Sequence, residues 1–187
     1  MKPRILNSTT VWKGNFLKLK RLELLNSSGR PFYWEVVQRV GTKGIVAVVP
    51  FTDDGQVLLI KQYRPPVDSY VVEFPAGLND RDEPLEEVAK RELLEETGYR
   101  AERVEFLIRG PLSSGASSEI LTVFTAFSVK PSGPQRLDEV EEIEVIKLPV
   151  EGFMKKLLKL QSEDTYIDLK IPGLFELALT RWYGNEH

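Results

Sequence analysis

The chain has 187 residues, 42% hydrophobic and 28% charged, a size for one compact domain with a small appendage or for two small domains. A net charge of −3 leaves no basic footprint for nucleic acid, no apolar run approaches a membrane span, and MKPRILNSTTVWKGNF lacks the apolar core of a signal peptide, so a cytoplasmic protein is expected. With no cysteine and a single histidine, His187, the chain has no material for disulfides, thiolate nucleophiles, serine–histidine–acid triads or zinc sites built on several histidines.

Residues 16–24, FLKLKRLEL, alternate as a half-buried strand does, and 32–40, FYWEVVQRV, read as its partner across the turn NSSGRP at 26–31. IVAVVPF at 45–51 is a nearly continuous apolar run, which predicts a central strand buried on both faces. A turn at Asp53-Asp54-Gly55 leads to the strand QVLLIKQYR at 56–64, and a loop with Pro65 and Pro66 precedes the strand YVVEF at 70–74. A helix is expected from about Pro84 to the stop at Gly98. Strands follow at 103–108, 120–129 and 141–148, separated by loops at 110–119 and 130–138. Two helices close the chain, roughly 150–161 and 171–183, the second with Pro172 in its first turn. This order of mixed strands, a helix, more strands and further helices predicts an α+β fold or a layered αβα domain.

The expected helix after Pro84 contains an anomaly. Leu85, Val88, Ala89 and Leu93 form one apolar stripe, and Glu92 and Glu96 fall in its middle rather than on the solvated side. Glu86, Glu87 and Lys90 fit an ordinary solvated face, but a carboxylate aimed at the core is costly unless it is paired, hydrogen-bonded or bound to metal. Lys90 and Arg91 point to other sides, so neither neutralises both acids. Residues 79–96 hold eight acids and three bases, a density of negative charge that predicts a hard cation. Without cysteine or internal histidine, oxygen-ligated magnesium or manganese is the natural one.

Residues 77–99 carry Gly, five residues, Glu, seven residues, then Arg-Glu-aliphatic-x-Glu-Glu-x-Gly-hydrophobic, filled by Gly77, Glu83, Arg91, Glu92, Leu93, Glu95, Glu96, Gly98 and Tyr99. This segment resembles the Nudix box in full. Several flanking runs resemble the ADP-ribose pyrophosphatase, or nucleoside-diphosphate-sugar hydrolase, branch of that superfamily. These are Gln62-Tyr63-Arg64, Glu73-Phe74-Pro75-Ala76-Gly77, the loop from Ser113 to Glu119, and the acidic run Glu139-Val140-Glu141-Glu142.

The resemblance implies a Nudix αβα sandwich with a mixed sheet over residues 43–187, preceded by a small β-sheet dimerisation region over residues 1–42. It further implies Mg2+, with Mn2+ as the substitute, held by Glu92, Glu96, Glu141 and the carbonyl of Ala76. Glu139 is the implied general base, Glu95 completes the shell through water, and Arg91 pairs with Glu83 to fix the loop on the helix. Gly77, Glu83 and Gly98 are structural members of the box. Arg64 is a candidate phosphate clamp, Trp34 a candidate platform for the base in a partner's site, and Ser114 and Glu119 candidate substrate contacts. Ser114 stands where the branch tends to carry proline, so the loop is expected to be pliable and the site to accept several sugars.

The implied reaction is metal-dependent hydrolysis of the diphosphate bond of ADP-ribose and related nucleotide sugars, by a homodimer. Two alternatives stay open at this point: a Nudix hydrolase of nucleoside triphosphates or dinucleotide polyphosphates, and an ADP-ribose-binding module without catalysis.

Overall fold

A computed structural model describes residues 2–182 of the chain. The first three strands, β1 (Arg4–Lys13), β2 (Leu17–Leu25) and β3 (Pro31–Arg39), form a separate antiparallel sheet in the order β1-β2-β3. Two strands had been expected there, and β1 is the addition. Its pairing with β2 slips between Ile5 and Asn7 and again between Thr10 and Trp12. Each slip turns the following side chains to the other face, and this erases the alternation by which a strand is read from sequence.

The rest of the chain contains β4 (Gly44–Thr52), β5 (Gln56–Arg64), β6 (Ser69–Glu73), β7 (Ala76–Asn79), α1 (Leu85–Thr97), β8 (Tyr99–Arg100), β9 (Val104–Pro111), β10 (Ile120–Pro131), β11 (Ile143–Pro149), α2 (Phe153–Leu157), β12 (Thr165–Ile167) and α3 (Lys170–Trp182). The nine strands make one mixed sheet, β12-β6-β5-β4-β10-β8, with β11 beside β5, β7 beside β4 and β9 beside β10. β4 runs parallel to β10 and β12 parallel to β6, while the other pairs are antiparallel. β7, β8 and β12 were not foreseen. Runs of two to four residues are too short to show a period.

β4 explains the layering. Ile45, Ala47, Val49 and Phe51 face one core with α2 and α3, where Phe153, Leu157, Ile171 and Phe175 are buried. Val46 and Val48 face a second core with Val88, Ala89 and Leu93 of α1. Helices therefore cover both faces of the sheet, an αβα sandwich, and each fully buried side chain of this size contributes roughly 1.5–3 kcal/mol. Aromatic stacking seats α3: Phe153 lies 3.9 Å from Phe175, and Trp182 lies 4.9 Å from Phe51.

The helix expected over 150–161 is shorter. Gly152, at φ 68°, starts a five-residue helix that tightens into a 3-10 turn at Leu158–Leu160. α3 begins one residue before its expected start, and Tyr183 and His187 lie outside the described residues. Among the described residues no helix is long and apolar enough to cross a membrane.

β3 also docks on the loop 113–119. The amide of Val37 donates to the Ala116 carbonyl at 2.8 Å, and the Ser118 amide donates to Val37 at 3.2 Å. The indole N–H of Trp34 donates to the Gly115 carbonyl at 2.8 Å, and Arg39 pairs with Glu119. A loop expected to be pliable for want of a proline is thus held by backbone and side-chain bonds from the neighbouring sheet.

Candidate active site

Pairing of β7 with β4 carries Gly77 directly beneath α1. The carboxylate of Glu92 occupies the space of the missing side chain: a Cβ at position 77 would stand 1.9 Å from Glu92 Cδ. One turn later, Glu96 Oε2 accepts the Ala76 N–H at 2.9 Å. A strand of four residues thereby locates both core-facing acids.

Arg91 organises the outer side of the helix. Its Nε donates to Glu83 at 3.0 Å, and its Nη1 lies 2.8 Å from Glu92 and 2.9 Å from Glu95. Burial opposes the charge of Arg91, and the charge of Glu92 with the bonds to Glu83 and Glu95 more than offsets it, raising its pKa. Asn79, itself buried, clasps the turn before the helix by donating to the Glu83 carbonyl at 2.7 Å. Gly98 ends the helix at φ 72°, where a Cβ would meet the Gly133 carbonyl oxygen at 2.3 Å.

Glu96 is 5% exposed, and among the described residues no lysine or arginine pairs with it. Burial is the largest influence on it and raises its pKa to about 9. The Ala76 amide partly opposes this, while the charges of Glu92, Glu73 and Glu141 add to it. Glu92 is raised as well, by burial first, with Arg91 offsetting part of the effect.

Among the described residues, no three acids already converge as a metal cage, because Glu92 leans on Arg91 and Glu96 on the Ala76 amide. The donor set nevertheless fits a hard divalent cation. It consists of carboxylate oxygens, one turn apart, whose mutual repulsion and burial a positive charge would relieve.

These residues line a cleft of about 790 Å³. Arg64, Ala76, Gly77, Arg91, Glu92, Glu95, Glu96 and Glu141 all reach it. Trp34, Ser114, Glu119 and Glu139 do not line it. Trp34 is spent on Gly115, Glu119 holds Arg39, which does face the cleft, and Glu139 is exposed on a turn beside it. Glu141 braces that turn, accepting the Asp138 amide at 3.0 Å.

Some cleft residues went unassigned in the sequence. Glu73 is 9% exposed and takes the Arg64 Nε–H at 2.8 Å. Burial works against the Arg64 charge, and this bond with the Glu73 charge more than compensates, raising its pKa. The available signal was an acid ending the apolar run YVV. Arg39, Arg136, Asp168 and Lys170 carried no comparable signal, because the chain brings them to the cleft from remote elements.

Comparison with known proteins supplies the context. A family model described as the NUDIX domain matches residues 41–169. A methanol dehydrogenase activator of Bacillus methanolicus is 31% identical over 87% of this chain and 86% of its own length. An ADP-ribose pyrophosphatase of Bacillus subtilis is 32% identical over 83% of this chain and 82% of its own. A crystal structure of an ADP compounds hydrolase superposes with a TM-score of 0.81 at 27% identity, covering 99% of this chain and 96% of that one.

Proposed function

This chain belongs to the Nudix family, and we propose that it hydrolyses the diphosphate bond of ADP-ribose and related nucleoside-diphosphate sugars in the cytoplasm, releasing a nucleoside monophosphate and a sugar phosphate. The observation that carries the reading is Glu96, a buried carboxylate with no basic partner in an ion pair among the described residues, set beside Glu92 in a cleft that Arg64 also lines.

In this reading Glu92, Glu96, Glu141 and the Ala76 carbonyl hold Mg2+, or Mn2+ in its place. When bound, such a cation neutralises charge on the diphosphate and makes water more acidic. Arg64, fixed at Nε by Glu73, keeps its terminal nitrogens for phosphate oxygens and orients the diphosphate. Arg91 keeps Glu92 and Glu95 extended toward the cleft, and Glu95 orders the attacking water. Glu139 takes the water's proton, which requires its turn to move inward over bound substrate. Glu119 acts on substrate through Arg39, and Ser114 stays outside the cleft.

The same reading makes residues 1–42 a dimerisation region and 43–187 the hydrolase domain. In the single protomer the N-terminal sheet leaves Trp12 58%, Phe16 80% and Tyr33 65% exposed, an apolar surface that suits a second copy. In that dimer Trp34, its N–H held by Gly115 of its own chain, would offer only its ring face to the copy's site.

The test is a product assay with purified protein over ADP-ribose, ADP-glucose, GDP-mannose, ATP and diadenosine polyphosphates, with Mg2+ or Mn2+ added. AMP and ribose phosphate from ADP-ribose are expected. Turnover confined to the triphosphate or the polyphosphates would refute the substrate class, and tight ADP-ribose binding without products would refute catalysis.

A further inference from the structure

The acidic turn that carries Glu139 and Glu141 is rooted on the last turn of α1, and one side chain holds both ends of the root. Gln135 stands at the entry to residues 136–142, and its Nε2 donates to the Glu96 carbonyl at 2.6 Å and to the Ile143 carbonyl, at the loop's exit, at 3.0 Å. A carboxamide nitrogen has two hydrogens, and here both are used. The orientation of the amide is fixed by its surroundings, since a flipped amide would set its oxygen against two carbonyl oxygens.

Neighbouring contacts repeat the pattern. The Arg136 amide donates to the Glu95 carbonyl at 2.8 Å, and the Ser132 amide to the Gly98 carbonyl at 2.8 Å. Helix-terminal carbonyls have no partner within the helix, and here segment 132–136 satisfies those of Glu95, Glu96 and Gly98. Glu95 and Glu96 thus present carboxylates to the cleft and carbonyls to the loop root.

We propose that Gln135 is a positioning residue, whose carboxamide closes the base of the 136–142 loop and sets the height of its acids over the Glu92–Glu96 face. This rests on the reading above, in which that loop serves the reaction. Within the loop, the Glu141 amide donates to the Asp138 carbonyl at 2.9 Å while the Glu141 carboxylate accepts from the Asp138 amide. The turn is therefore braced internally, and with its base clasped it moves as one piece. Gln135 touches neither substrate nor reacting atoms in this arrangement. Its effect passes through Glu139 and Glu141.

The variant is Gln135→Met, which keeps length and shape and removes both donors. Hydrogen–deuterium exchange on the full chain reads the loop without any assay of activity. Amides of 136–142 should exchange faster while those in the middle of α1 hold their parent rates. On the substrate that the parent hydrolyses, kcat should fall by roughly ten- to a hundredfold, the usual range for a partner that orients a site group, with KM nearly unchanged. Gln135→Asn, shorter by one methylene, should fall between and replaces the Met variant if that fails to fold.

Unchanged exchange in 136–142 would overturn the proposal, as would faster exchange with parental kcat. Loss of protection throughout α1 would reduce Gln135 to a general helix cap and also overturn it. A parent inactive on every nucleotide sugar would sink the substrate reading instead, and the exchange result would still decide whether Gln135 holds the loop.

Discussion

Replacing Glu96 by glutamine should uncouple stability from pH in a calculable way. In the folded, metal-free protein, burial lifts the Glu96 pKa from its ordinary 4.5 to about 9. Between those values the native state keeps a proton that the unfolded chain has released. Stability is then fully present below about pH 4.5 and falls as pH rises toward 9. The slope is set by one proton, about 1.4 kcal/mol per pH unit. Glutamine is neutral throughout and still offers an oxygen to the Ala76 amide. The variant should therefore gain on the parent by about 2.7 kcal/mol between pH 6 and pH 8. Urea unfolding in the presence of a chelator at pH 6, 7 and 8 measures the difference. Adding Mg2+ should stabilise the parent more than the variant, because a neutral amide replaces one of the carboxylates that attract a hard cation. The variant should also lose turnover by orders of magnitude. A stability difference that stays flat across this pH range would show that Glu96 is not held in an ionisation-hostile site, and the account of its burial would fail.

Gly77→Ala drives a Cβ into the Glu92 carboxylate at 1.9 Å, and that carboxylate is the end of a flexible side chain that can swing away. Activity should drop at least a hundredfold, a fall of about 2.7 kcal/mol in transition-state stabilisation, with a small change in melting temperature; parental kcat/KM would contradict the geometry. Gly98→Ala should cost more in folding than in chemistry, about 1–2 kcal/mol for the left-handed backbone alone, with further loss from the contact to the Gly133 carbonyl, read by denaturant midpoint. Light scattering at micromolar concentration should report a dimer, and deletion of residues 1–40 should report a monomer; a monomeric parent would remove the role given to the N-terminal sheet.

The parts of this molecule that were legible in its sequence are those whose pattern is local. Val88, Ala89 and Leu93 announce the buried stripe of α1, and the position of Glu92 and Glu96 within that stripe announces the cleft. IVAVVPF reads correctly as a strand covered on both sides because its own residues are apolar throughout. β1 was hidden by two register slips, and β7 by its length, although β7 is the element that places Gly77 beneath Glu92. Glu73 was visible as an acid on an apolar strand, yet its partner Arg64 lies on the adjacent strand, and pairing across strands leaves no spacing to count. Gln135 matters only through contacts with distant elements, and Asp168 and Lys170, which bond each other at the start of α3, carry no mark in the sequence of the cleft they reach.

β4 has a further consequence for how the protein fails. Its odd-numbered residues from Ile45 to Phe51 belong to one core, and Val46 and Val48 to the other. An inserted or deleted residue in this strand would exchange the two sets, sending Phe51-sized groups toward α1 and small ones toward α3. Neither core can repack alone, because a single backbone carries both. Loosening α3, which stacks on Phe51, is therefore transmitted through β4 to β7 and to the acids above it. Damage to the C-terminal helix should abolish the cleft in the same cooperative step as global melting, with no intermediate that keeps one core and loses the other.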